Sequence, residues 1–270
     1  MQAPVEIPGP PSVQVDNSVQ GNEALKSDDK GVVVLLHGLG ANSWLMSLLA
    51  HRLQAHGYRV INWGYWSLWQ TLEKLIPEFE QKFQDLKHHL LPDTPVQIVA
   101  HSMGSIITRA ALAKVEIPSL QRVVMLSPPN RGSYVASWVG PYLRWLTPLI
   151  DELADRSDSY VNRIQQTMPD DVQVGVIAAE WDYVLHEGAT HLDGESDHIV
   201  LPSRHSGLVL RWRVAEQIVY FLEHGEFRRE VAAPNPAKVH EQSIYTVDLH
   251  GGGPADQPPE QNEHAGKEDQ

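Results

Sequence analysis

The run Val96-Gln97-Ile98-Val99-Ala100, followed at once by His101-Ser102-Met103-Gly104-Ser105, constrains this chain more than any other segment. A short apolar run rich in β-branched residues reads as a strand, and the residues after it read as a helix start. A strand that turns straight into a helix at small-x-Ser-x-Gly makes a sharp elbow with one serine hydroxyl exposed at its apex. The positions beside that serine must be small, because backbone and neighbouring elements come very close there. The first of them is Ala100 rather than the usual glycine.

Strand-like and helix-like segments alternate on both sides of this elbow. Strands are predicted over 32–36, 58–62, 96–100, 123–126, 172–178 and 199–201, and helices over 44–56, 69–90, 103–114 and 207–222. Such alternation specifies an α/β fold: a mostly parallel sheet with helices on both faces. The stretch between the fourth and fifth strands exceeds one crossover helix, so a short helical cap is expected at about 131–168. Residues 1–30 lack sustained periodicity and read as a loosely ordered arm. Residues 31–226 form the expected domain, and 227–270 a low-complexity tail with too little apolar surface to offset chain ordering. No internal repeat is evident.

Composition removes several classes of function. A net charge of −13 without Lys/Arg clusters argues against nucleic acid and against adsorption to anionic membranes. The sequence has no cysteine, which excludes disulfides, thiolate metal sites and a thiol nucleophile. No apolar run is long enough for stable membrane insertion, and the N-terminus lacks a basic start followed by an apolar stretch. A cytoplasmic location is the expectation from these negatives.

In parallel α/β sheets, ligands sit outside the carboxyl ends of the strands, so the residues just after each strand can be sieved for chemistry. Ser102, Asp182 and His205 pass. A neutral serine needs a base within hydrogen-bond reach, which His205 would supply, while Asp182 would fix the imidazole tautomer and stabilise its cation. The backbone N–H groups of Met103 and Leu39 would hold the developing oxyanion. Rivals exist among the 14 histidines and the loop acids. His198 precedes the last strand and so lies at the wrong end; Asp193 and Asp197 sit in the polar loop before it. His101 reads as a packed neighbour of the serine, and His37 as a shaper of the oxyanion loop. His186, His191, Asp193 and His198 could suggest a metal, but their spacing matches no compact ligand pattern, and no metal is assigned.

Leu35-Leu36-His37-Gly38-Leu39-Gly40, Gly57-Tyr58, Ala100-His101-Ser102-Met103-Gly104 and Pro128-Pro129-Asn130-Arg131-Gly132-Ser133 together resemble the short bacterial esterase and lipase branch of the α/β-hydrolases. So does the run from Thr190-His191-Leu192-Asp193-Gly194 through Asp197-His198 to Pro202-Ser203-Arg204-His205. The chain order Ser, Asp, His is also theirs. The resemblance implies Ser102 as nucleophile, Asp182 as acid, His205 as base, and Leu39 and Met103 as oxyanion donors. Three departures stand out: Ala100 in the elbow, Ser105 where a second glycine is common, and Tyr183 after the acid in place of glycine.

Trp138, Tyr142, Leu143, Trp145, Leu146, Leu149 and Ile150 make the cap region apolar, either to pack on the sheet or to cover an acyl group. Trp63, Trp66 and Trp181 are expected near the rim, and Trp66, Trp138, Tyr142 and Trp181 form the predicted pocket. Arg131 would meet a substrate carboxylate or tie down its own loop. The expected activity is cleavage of a small-molecule or lipid-like ester through an acyl-enzyme, without a cofactor. The same residues serve thioesterase, amidase or acyltransferase chemistry, and a non-catalytic protein holding an apolar ligand is the alternative from another class.

Overall fold

Apolar runs bounded by glycine, proline and polar residues become strands because a β-branched backbone buried on both faces needs a complete hydrogen-bond ladder. In the computed structural model, which describes residues 29–68, 70–91, 93–137, 149–164 and 167–229, the strands are β1 (Val32–Leu36), β2 (Arg59–Trp63), β3 (Val96–His101), β4 (Leu120–Leu126), β5 (Gln173–Ala179) and β6 (Asp197–Leu201). They form one sheet in the order β2-β1-β3-β4-β5-β6, and every pair is parallel. The chain steps from β1 outward to β2, then crosses back to β3 and continues the other way. The crevice where direction reverses therefore opens between the ends of β1 and β3, and ligands bind at such points in open parallel sheets.

The helices are α1 (Ser43–Ala55), α2 (Leu72–His89), α3 (Met103–Leu112), α4 (Leu149–Glu152), α5 (Tyr160–Arg163) and α6 (Trp212–His224). Alternating residues of each strand feed two cores, as period-2 side-chain geometry requires. Val32, Val34 and Leu36 face α2 and α3, whereas Val33 and Leu35 face α1 and α6. In α2 the buried residues Leu72, Leu75, Ile76, Phe79, Phe83 and Leu86 recur at helical spacing along one face. Asn42 caps α1 by accepting from the Leu45 amide, and Gly225 ends α6 in the left-handed conformation at φ 79°.

Several details differ from the sequence expectation. β4 starts three residues early at Leu120, where Arg122 is held by Gln173 and by the Leu222 carbonyl. The last helix starts at Trp212, because a tight 3-10 turn over His205–Leu210 comes first. Phe227, assigned to the tail, is buried against Phe221 over Gly175, where a Cβ would come within 2.8 Å of both rings. Between β4 and β5, Leu149, Leu153, Ala154 and Val161 bury against the α2 and α3 side of the sheet. The remaining cap residues named from the sequence, Trp138, Tyr142, Leu143, Trp145 and Leu146, lie outside the described residues. Among the described residues no helix is long and apolar enough to cross a membrane.

Candidate active site

Ser102 occupies the turn between β3 and α3 with φ 52° and ψ −124°, a conformation non-glycine residues rarely adopt. Such strain costs on the order of 1–3 kcal/mol and survives only where surroundings enforce it. Here the Ser102 amide donates to the Leu126 carbonyl, and the turn fits beneath β1 only because residue 104 is glycine. A Cβ on Gly104 would lie 2.7 Å from the His37 carbonyl oxygen and 2.8 Å from that of Leu36. The two departures in the elbow do no harm: Ala100 is a fully buried strand residue, and the Ser105 hydroxyl donates to the Ala100 carbonyl.

The ends of β5 and β6 bring the other two side chains to this turn. Their exits are zipped together by hydrogen bonds from Glu180 N–H to Leu201 O and from Trp181 N–H to Ser203 O. This sets Asp182 beside His205, with Asp182 Oδ2 2.7 Å from His205 Nδ1 and His205 Nε2 2.9 Å from Ser102 Oγ. The other carboxylate oxygen of Asp182 accepts from the amides of Val184 and Leu185 at 2.8 and 3.0 Å. An amide-capped turn thus replaces the missing Asp-Gly turn. Burial works against ionisation of Asp182, but the His205 hydrogen bond and charge, the Val184 amide and the Ser127 hydroxyl hold it below its ordinary range. Asp193 and Asp197 are engaged elsewhere. Asp193 pairs with Arg131 at 3.0 Å, and Asp197 accepts from the amides of His198 and Phe227.

Facing the serine, the turn after β1 carries Leu39. Gly38 lets it approach: a Cβ there would lie 2.9 Å from Ser102 Cβ and 3.1 Å from His101 Nδ1. The loop is fixed from behind by His37, whose Nδ1–H donates to Gly38 O while Nε2 accepts from the Tyr65 amide. Tyr65 stacks on the His37 ring at 3.9 Å, and its hydroxyl donates to the His37 carbonyl. Only a neutral imidazole satisfies both contacts, and burial lowers the His37 pKa accordingly. The Met103 amide, first in α3, has no intrahelical acceptor. Neither it nor the Leu39 amide bonds to a described residue. Both are therefore able to donate to an anion.

His101 is buried behind His205, and its Nε2–H donates to the His205 carbonyl at 3.2 Å. Sequence reasoning missed two further anchors. Ser127, at φ 40°, accepts from the Ala179 amide and lies against Asp182. Arg109, buried in α3, donates to Asn130 Oδ1 at 2.8 Å and to the Val161 carbonyl at 3.0 Å, tying the segment between β4 and β5 to the sheet. A signal was present: Arg109 is a lone charge inside Ile106-Ile107-Thr108-Arg109-Ala110-Ala111. Of the rim aromatics, Trp66 and Trp181 are about half exposed. Trp63, the last residue of β2, is partly buried and packs edge-on against Phe79 and Phe83 of α2.

A parallel sheet with a strained serine at its topological switch point, flanked by free amides, defines an α/β-hydrolase. The family described as serine aminopeptidase, S33, matches residues 27–203, well over half of the chain, and the protein belongs to this hydrolase family. Among solved structures, the mature lipase BlEst2 of Bacillus licheniformis is similar with a TM-score of 0.58 and 13% identity, over 75% of this chain and 94% of that one. The type II thioesterase BorB of the borrelidin biosynthetic cluster gives a TM-score of 0.52 and 17% identity over 73% and 92%. Phospholipase PlaB of Legionella pneumophila gives 0.51 and 17% over 72% of this chain and 59% of its own. These likenesses are of fold. No curated protein matches the chain.

Proposed function

We propose that the protein is a serine hydrolase that cleaves carboxylic esters through an acyl-enzyme on Ser102. The observation that supports this most is the relay Ser102 Oγ, His205 Nε2, His205 Nδ1, Asp182 Oδ2, with links of 2.9 and 2.7 Å. His205 takes the serine proton as Oγ attacks the ester carbonyl, and the ionised Asp182 stabilises the imidazolium so formed. The carbonyl oxygen gains its negative charge between the Leu39 and Met103 amides. Collapse of this adduct breaks the ester C–O bond, and His205 returns the proton to the leaving alcohol. Water then enters by the same route, giving up a proton to His205, and the acid departs as Ser102 Oγ recovers it.

Trp66 and Trp181, half exposed at the same sheet edge, favour an apolar acyl or alkyl group over a charged one. The family name makes an aminoacyl amide the second substrate class to test. A panel of p-nitrophenyl esters of rising acyl length, run beside aminoacyl p-nitroanilides, separates the two. Ester turnover is expected in the wild type, with Ser102→Ala and His205→Ala each cutting kcat by on the order of 10³–10⁶ and Asp182→Asn by less. Ser102→Ala protein that kept its activity would overturn the reading. A wild type that turned over anilides but no ester would transfer it to peptide chemistry.

A further inference from the structure

The loop between β5 and β6 carries a second group of convergent side chains that the acyl-transfer chemistry does not use. Glu187 opens a 3-10 turn over Glu187–Ala189, His191 follows four residues later, and His198 is the second residue of β6. Each offers one ligand atom, and these atoms all lie within 4.8 Å of one another. Linear spacing concealed the group, because the strand turns His198 back over the loop: the two imidazole rings sit 3.9 Å apart. Of the other residues the sequence had raised, His186 stacks on Tyr134 and Asp193 pairs with Arg131.

The hydrogen bonds around the two rings fix which nitrogen each has free. Glu195 Oε1 lies 2.5 Å from His191 Nδ1 and 3.1 Å from His198 Nδ1, while Oε2 accepts from the Leu192 amide. A carboxylate only accepts, so both Nδ1 atoms are the donors, and each neutral ring keeps a lone pair on Nε2. Thr190 Oγ1 lies 3.5 Å from His198 Nε2, but its single hydrogen already goes to the Glu187 carbonyl at 2.6 Å. No described residue donates to the Nε2 of His191 either. Two outward lone pairs beside a carboxylate, each ring held through its other nitrogen by an acid, is the arrangement of histidines that bind a transition metal. The loop backbone is held in turn, by Arg131 N–H on the Ala189 carbonyl and Asn130 Nδ2–H on the Thr190 carbonyl.

We propose that Glu187, His191 and His198 bind one Zn²⁺ ion, with Glu195 positioning both imidazoles. Two imidazoles and one carboxylate suit zinc, with water at the fourth tetrahedral position; magnesium and calcium prefer all-oxygen sites. The ligand atoms must draw in from separations of up to 4.8 Å to reach bonds of about 2.0–2.2 Å, and the exposed Glu187 side chain can swing inward. The ion staples the loop that leads from Asp182 to β6. It takes no part in the proton relay.

The test is zinc uptake by untagged full-length protein stripped with EDTA and dialysed against Zn²⁺, read as metal content per chain and as Tm. The wild type should take up one more equivalent than the Glu187→Gln/His191→Ala double variant. With free zinc roughly 100-fold above Kd, its Tm should rise by roughly 5–10 °C. Magnesium and calcium should leave Tm unchanged. Glu187→Gln alone changes an exposed side chain, keeps the fold, and should bind zinc at least about tenfold more weakly. Equal uptake by wild type and double variant, or no uptake by the wild type, would overturn the proposal.

Discussion

Replacing Gly38 by alanine probes the proposed oxyanion loop while every residue of the relay keeps its identity. The new Cβ would sit 2.9 Å from Ser102 Cβ and 3.1 Å from His101 Nδ1. Ordinary carbon contacts begin near 3.5 Å, so loop and serine must separate by about half an ångström. Neither yields freely. The loop is held by His37, by Tyr65 and by the Gly40 amide on Ser67 Oγ at 2.9 Å, and the serine turn is pinned over Gly104. A donor works only within about 2.7–3.1 Å of the oxyanion, so a shift of that size removes most of the Leu39 contribution. Loss of one such donor costs roughly 10²–10³ in kcat, or about 3–4 kcal/mol of transition-state stabilisation. With the best p-nitrophenyl ester as substrate, kcat should fall by that factor while KM changes by less than about threefold, since the ground-state carbonyl uses the donor weakly. Thermal denaturation run in parallel should find the variant folded. A folded variant with kcat within about threefold of wild type would refute the assignment of this loop to charge stabilisation.

Other perturbations have equally definite outcomes. Arg109→Met keeps the volume in α3 but strips Asn130 Oδ1 of its donor, so stability should fall by about 2 kcal/mol and Tm by roughly 4–8 °C; an unchanged Tm would show that the anchor is idle. Gly104→Ala drives a Cβ into rigid β1 backbone and should abolish turnover together with a clear loss of Tm. Burial, followed by the charge of His205, pushes His101 down to about 3 from its ordinary 6.5. The unfolded chain therefore takes up this proton as pH falls through 6.5 while the folded chain does not, so stability is complete above 6.5 and drains as pH falls toward 3. By pH 5 the loss from this residue is about 2 kcal/mol, and urea unfolding at about pH 7.5 and 5 should show His101→Gln losing that much less than wild type. Equal losses would contradict the buried neutral state.

The sheet was legible because strands buried on both faces admit almost nothing but apolar residues: Val32–Leu36 is unbroken, and its end at His37-Gly38 is unmistakable. The rim position of Ser102, Asp182 and His205 was legible for a related reason, since a parallel sheet puts every strand's carboxyl end on one edge. Where edges carry long polar side chains the pattern fails. Arg122 lies in β4 because its guanidinium finds Gln173 and Leu222 across the fold, and sequence alone contains no sign of those partners. Trp63 ends β2, and the two phenylalanines one helical turn apart in α2 that its ring packs against are likewise not marked by linear spacing. The His191–His198 pair was hidden for the opposite reason. A loop that doubles back erases any relation between linear spacing and distance.

In the proposed mechanism Ser102 is the nucleophile, made reactive by His205. Incubation with a fluorophosphonate probe, followed by peptide mass spectrometry, tests it without knowledge of the substrate. The wild type should carry one phosphonyl group on Ser102 Oγ, and His205→Ala should label far more slowly. A chain that stayed unlabelled while folded, or one labelled at another serine, would contradict the role of Ser102.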